Sequence, residues 1–198
     1  MARTIAKDHD AKRLHILKTA ARAFADAGIA RASMAQIATA CGISKANIYH
    51  YYGSKDALLF DILDTYLSEL RDVLCSLKTT SDSPDVQLEN FARAALMAYD
   101  GMDAEHKIQS EGLPLLPTEQ QRILKSYQRD MVASLSETLM LIAPAPFAGD
   151  PQKLRATTMS VFGMLNWFYM WNSNADAAAR DAYAKLVAQL TIDGIRGM

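Results

Sequence analysis

The 198-residue sequence predicts an all-α protein of about nine helices, with a three-helix head over residues 1–54 and a larger helical domain over residues 55–198. Three observations lead there. Apolar residues recur at helical spacing in nearly every segment, and no stretch alternates convincingly as a strand. N-cap residues, first-turn prolines and stop glycines punctuate the chain at helix-length intervals. Charge is also partitioned: nine Lys or Arg face three acids over residues 1–55, while twelve face nineteen over residues 56–198. The overall net charge of −1 therefore conceals a basic head and an acidic remainder. That asymmetry suits a chain with one end meeting a polyanion, and it equally suits solvated basic helices.

Composition narrows the class further. A chain that is 50% hydrophobic and 22% charged is globular, with length for a full core, which excludes wholesale disorder. Cys41 and Cys75 lie in apolar helical contexts without metal-ligand spacing, so a reduced cytoplasmic setting is expected rather than a disulfide scaffold. The first residues are polar and charged, unlike a secretory leader. The longest apolar stretch, Met159 to Trp171, is shorter than a membrane span and contains Asn166.

The elements follow in order. A first helix runs from about Asp10 to Ala27, with Leu14, Leu17, Ala21, Phe24 and Ala25 on one face and Gly28 ending it. Ser33 opens a short helix, with Gln36 completing a capping box. Gly42 breaks it, Ser44 caps the next, and Gly53 ends that one. Ser54 caps a long connecting helix over residues 55–77, with Asp56 suited to the positive end of the helix dipole. Polar Lys78 to Ser83 forms the internal boundary. Ser83-Pro84 starts a helix reaching about Asp100, and a short helix follows from about Ala104 to Glu111. After a loop at Gly112 to Pro117, Thr118 and Gln121 form a second capping box, opening a helix to about Ile142. Asp150-Pro151 begins the helix that ends at Trp171, and the last helix spans about Asp176 to Ile195.

The chemistry concentrates at Ser33 to Lys55. Met34, Ile37, Ala38 and Cys41 make one apolar stripe, Gly42 a tight turn, Ile43 a plug, and Ile48, Tyr51 and Tyr52 the inward side of the next helix. Two short helices joined by a Gly-containing turn are a helix-turn-helix. The opposite face of the second helix collects Lys45, Ala46, Tyr49 and His50, with Asn47 on its flank. Lys donates to guanine or phosphate, Asn pairs with adenine, Ala meets a thymine methyl, and Tyr and His reach phosphate oxygens. Ser33, Ser44 and Lys55 sit at helix starts, where backbone N–H groups favour a phosphate. Ser33 and Ser44 also serve as plain caps, and Tyr51 as core.

In these residues the chain resembles the TetR family of bacterial transcriptional repressors. The shared pattern reads Ala25-Asp-Ala-Gly28, then Ser33-Met-Ala-Gln-Ile-Ala38, then Gly42-Ile-Ser-Lys-Ala-Asn-Ile-Tyr-His-Tyr-Tyr-Gly-Ser-Lys55, covering the first quarter of the chain in register. Tyr52 stands where the family usually has Phe, and Cys41 where a small aliphatic residue is common. The resemblance implies a homodimer that binds a double-stranded DNA operator and answers to a small-molecule effector held in the C-terminal domain. By position, Lys45, Ala46 and Tyr49 would meet base edges, and Ser33, His50, Tyr51 and Lys55 phosphates.

The larger domain is rich in Met and aromatic residues, which by default are core. As a group they also suit an adaptable apolar pocket, with Phe91, Met97, His106, Met131, Trp167, Met170 and Trp171 as its candidate lining. The segments His106 to Pro117 and Phe162 to Trp171 look similar to a TetR subgroup that senses acyl-coenzyme A thioesters. Such a ligand needs an apolar channel and cations for its phosphates, and Lys107, Arg122, Lys125 and Arg129 are available. The last two helices are apolar on more than one side, so Leu154, Val161, Leu165, Phe168, Tyr183, Leu186, Val187 and Leu190 are candidates for a four-helix dimer interface. No resident cofactor or metal is expected. An α-helical enzyme is disfavoured because His9, His15, His50 and His106 are scattered without catalytic spacing. A helix-turn-helix adaptor or nucleoid-type protein lacking an effector is the remaining alternative.

Overall fold

The computed structural model describes residues 2–77, 82–172 and 174–198, with backbone only for residues 2–8. The described residues form nine α-helices: α1 (Ala2–Ala27), α2 (Met34–Ala40), α3 (Lys45–Tyr51), α4 (Lys55–Cys75), α5 (Pro84–Ala98), α6 (Asp103–Gly112), α7 (Thr118–Ile142), α8 (Pro151–Trp171) and α9 (Ala177–Arg196). There is no strand among them. The expected polar boundary at Lys78 to Ser83 lies mostly outside the described residues. Two compact units result, Met1–Leu67 with Gly101–Lys125, and Ser68–Asp100 with Ser126–Met198. Helices α4 and α7 each contribute to both.

In the first unit, α1 packs against α2 and α6, and α2 against α3. The interior is built from Ile16, Leu17, Ala20, Ala21 and Phe24 of α1, the α2 stripe Met34, Ile37, Ala38 and Cys41, Ile48 of α3, and Leu58, Leu59, Ile62 and Leu63 of α4. Each large apolar side chain fully removed from water contributes roughly 1.5–3 kcal/mol. The α2–α3 turn is a Schellman closure: Gly42 N–H donates to Thr39 O and Ile43 N–H to Ala38 O, both at 3.0 Å. Its hinge residue, Gly42, has φ +68°, a left-handed conformation that L side chains adopt at a cost.

The second unit packs α5 along α9 and α8 against both. Leu88, Phe91, Ala95 and Leu96 of α5 meet Val161, Phe162, Leu165 and Phe168 of α8 and Ala184, Val187, Ala188, Ile192 and Ile195 of α9 in one interior. Phe91 and Phe162 contact edge to face at 5.9 Å. Two polar groups enter this core with partners. Tyr99 Oη donates to Asn166 Oδ1 at 2.7 Å. Arg180 Nη1 donates to Leu96 O at 3.0 Å, placing a cation on the carbonyl end of α5, and Nη2 donates to Asp100.

The cap residues act as the sequence predicts at Ser33, Ser44, Ser54, Ser83 and Asp150, each accepting a backbone N–H three residues on, and Asp176 does the same at the start of α9. Four expectations are corrected. Helix α1 begins at Ala2, eight residues before the expected start near Asp10. Leu14 is exposed, because the inward stripe of α1 starts at Ile16 and Leu17. Leu113–Leu115 forms a 3-10 turn inside the expected loop. Thr118 and Gln121 do not form a capping box: Gln121 Nε2 turns back to donate to Leu116 O at 2.9 Å and Pro114 O at 3.3 Å. A side-chain amide facing two free carbonyls of a proline-bearing turn satisfies them directly, and that demand overrides the local cap signal.

Candidate nucleic-acid interface

Helix α3 has only two turns, and Ile48 is the single residue of the helix that is fully buried. Rotation of about 100° per residue away from that anchor puts Lys45, Ala46, Asn47, Tyr49 and His50 in solvent. Tyr49, 45% exposed, is a large aromatic ring held outward beside a lysine and a histidine. Stripped of an apolar purpose, such a face suits base edges and phosphate oxygens. The sequence brings these groups together and the structure keeps them together.

The expected phosphate ligands divide. His50 is exposed, and Tyr51 is half-buried between the rings of His50, edge-on at 6.0 Å, and His9, stacked at 5.0 Å. Ser33 and Ser44 are both caps; Ser33 Oγ accepts from Gln36 N–H and also donates to Gln36 Oε1 at 2.9 Å. Lys55 is corrected. Its Nζ donates to Ile29 O at 2.8 Å and to Ala30 O and Ala32 O at 3.2 Å, so its three protons close the α1–α2 connection instead of facing outward. Lys107 is likewise engaged, donating to Ala25 O at 2.8 Å, and Arg122 pairs with Glu119.

Behind α3 lies a polar cluster that local pattern did not reveal. Tyr52 Oη donates to Asp61 Oδ2 at 2.6 Å, and Arg13 forks onto both Asp61 oxygens and reaches Thr65 Oγ1 at 3.0 Å. Burial, reinforced by the hydrogen bond to Asp61, pushes the Tyr52 hydroxyl far above the usual phenol range. Arg13's own hydrogen bond to Asp61 raises its guanidinium as well. Arg13 and Asp61 are 48 positions apart in the chain, beyond any periodic signal.

The residues proposed for the effector pocket do not form one set. Phe91 and Met131 are buried and Met97 half-buried in the second unit. His106 belongs to the first unit, its Nδ1 2.9 Å from Tyr66 Oη. Trp167, Met170 and Trp171 are corrected outright: they are exposed, Trp167 at 61%. The dimer candidates divide too. Val161, Leu165, Phe168 and Val187 are interior to their own unit, Leu154 and Tyr183 are half-buried, and Leu186 and Leu190 are exposed. The inward row of α8 is Thr158, Val161, Phe162, Leu165 and Phe168, which leaves Met159, Gly163, Trp167, Met170 and Trp171 on the outside. A helix apolar on two sides does not announce which side its own domain takes.

A tri-helical head with a short, outward-facing second helix defines a helix-turn-helix DNA-binding regulator. Residues 16–62 match the family model of bacterial regulatory proteins of the tetR family, and residues 81–195 match the Tetracyclin repressor-like C-terminal domain. A TetR-family transcriptional regulator from Bordetella parapertussis 12822 superposes with a TM-score of 0.85 at 31% identity, covering 94% of this chain and 96% of that one. The chain is 30% identical over 106 residues to the HTH-type transcriptional regulator EthR of Mycobacterium tuberculosis, 53% of this chain and 48% of EthR. The chain thus spans about half the length of such sequence relatives. AibR, crystallised in complex with isovaleryl coenzyme A and operator DNA, shares the fold, with a TM-score of 0.74 at 24% identity over 90% of this chain and 97% of that one. The chain belongs to the TetR family of bacterial transcriptional regulators.

Proposed function

We propose that the protein is a one-component repressor that binds a pseudo-palindromic operator as a homodimer, one α3 in each of two successive major grooves. The single observation that carries this is the exposed face of α3, with Lys45, Ala46, Asn47, Tyr49 and His50 turned outward around buried Ile48. Lys45, Ala46 and Tyr49 read base edges, and His50 and Tyr51 hold phosphates. Ser33 and Ser44 act as caps, and Lys55 acts by shaping the head. Two α3 helices about 34 Å apart on one side of the duplex are needed. The exposed apolar row of α8, with Leu186 and Leu190 of α9, supplies the two-fold contact that holds them there.

The same reading gives the protein a small apolar or acyl-coenzyme A effector. The aromatic interior of the second unit, with Met131 and the Tyr99–Asn166 pair set into it, supports that class, as does the isovaleryl coenzyme A complex of AibR. Helix α4 runs from the head at Lys55 into the second unit at Ser68, so an effector that prefers one α4 position shifts the population of DNA-binding dimers. No described helix is long and apolar enough to cross a membrane, and we place the protein in the cytoplasm with the chromosome.

Selection from a random duplex pool tests the DNA reading. A single enriched palindrome, bound steeply less well as salt rises, is expected. Enrichment of no sequence, or equal binding to every duplex, overturns it. Thermal-shift screening against acyl-coenzyme A thioesters tests the effector class and separates the repressor from an effector-independent adaptor.

A further inference from the structure

Helix α3 poses a positioning problem that its own packing does not solve. With seven residues and one fully buried anchor at Ile48, its angle about that anchor is weakly defined by apolar contact. A small rotation would carry Lys45 and Tyr49 away from a fixed base edge. The end of the helix is where the constraint enters, through two consecutive tyrosines that point to different partners.

Tyr51, the last residue of α3, stacks on His9 with ring centroids 5.0 Å apart and planes 24° apart. Tyr52, the C-cap, gives its hydroxyl to Asp61 of α4, and Arg13 of α1 grips the same carboxylate with two nitrogens while holding Thr65 one turn further along. His9 and Arg13 are four residues apart, so they occupy one side of α1. That side therefore touches both tyrosines, one through a ring face and one through a shared carboxylate. The side chains involved are partly exposed, Arg13 at 36% and Asp61 at 23%, so the cluster contributes direction more than burial.

We propose that His9 and Arg13 are positioning residues for DNA recognition, setting the angle of α3 through Tyr51 and through the Tyr52–Asp61 hydrogen bond. The inference rests on the operator reading above and adds to it a second layer of residues that touch no DNA. Tyr52 is central to it, because the phenylalanine usual at this position in the family lacks the hydroxyl that reaches Asp61.

The test uses the full-length protein and the duplex it selects from a random pool. His9→Ala and Arg13→Gln each weaken binding about tenfold, while helix content, dimer mass and melting temperature stay at the wild-type values. His9→Phe restores binding, because a ring again faces Tyr51. Arg13→Gln costs less in a Tyr52→Phe background than alone, because the hydroxyl link it supports has already been removed. In the DNA-free protein, both variants speed amide hydrogen exchange in the peptide covering residues 45–52. Unchanged exchange there overturns the proposal whatever the DNA results. So does equal loss with His9→Phe and His9→Ala, or weaker binding fully explained by a lower melting temperature. If the wild type selects no sequence, the operator reading fails and exchange alone decides the proposal. If the wild type binds and Tyr49→Ala abolishes binding while His9→Ala and Arg13→Gln bind normally, the positioning role fails alone.

Discussion

Lys55 Nζ donates to the Ile29 carbonyl at 2.8 Å, joining the first turn of α4 to the chain leaving α1. Two further carbonyls, of Ala30 and Ala32, share the same ammonium. A charged donor shared by three backbone acceptors sets the shape of the head. Lys55→Ala is expected to cost about 1–2 kcal/mol in denaturant unfolding, a value reduced by the partial exposure of the site. The salt dependence of DNA binding should keep its wild-type slope. A slope lowered by about one, with stability unchanged, would return Lys55 to the phosphate role.

Lys45 and Tyr49 should behave in the opposite way. Both are exposed on α3, and among the described residues neither side chain holds a neighbour by hydrogen bond, so alanine at either position should leave stability within about 0.5 kcal/mol. Lys45→Ala lowers the salt slope by about one, and Tyr49→Ala weakens binding without changing the slope. Anisotropy titrations at several salt concentrations separate the two.

Glu105 supplies a pH signature. It is buried on α6, and burial raises its carboxyl above the usual glutamate range, with a backbone hydrogen bond and the charges of Lys18 and Arg22 pulling the other way. The folded state therefore keeps this proton to higher pH than the unfolded state does. Stability tied to it is full below the unfolded value and declines as pH rises through the folded value. Glu105→Gln removes that decline, so its melting temperature should exceed that of the wild type at neutral pH and match it in acid. Parallel profiles across this range would remove Glu105 as the cause.

The two sides of α8 make a paired prediction. Leu165 is fully buried and Trp167, two residues on, is exposed. Leu165→Ala should cost about 2–5 kcal/mol through the cavity it leaves. Trp167→Glu, alone or with Leu190→Glu, should keep the helical fold and yield monomers in sedimentation velocity, with operator binding lost. A dimer that survives both glutamates would place the two-fold contact elsewhere.

Much of the architecture was legible because it is local. A cap serine and the N–H it accepts are three residues apart, the α2 stripe repeats every three or four residues, and the Gly42 turn lies between two short helices that share it. The exposed side of α3 followed by rotation from Ile48. The parts that were not legible involve a choice between partners. Gln121 had a local serine-like neighbour in Thr118 and turned instead to carbonyls of the preceding turn. Lys55 had a phosphate within imagination and three carbonyls within reach.

The sequence by itself determined the class: an all-α chain, a basic head carrying a helix-turn-helix, and the outward residues of its second helix. Periodicity and capping are properties of neighbouring residues, so they are written in the order of the chain. Tertiary structure alone decided which apolar side of α8 is core and which is surface, what Lys55 holds, and how His9, Arg13, Tyr52 and Asp61 meet. Those outcomes depend on the rotational phase of one helix against another. That phase is set by the summed packing of residues far apart in sequence, and no local pattern records it.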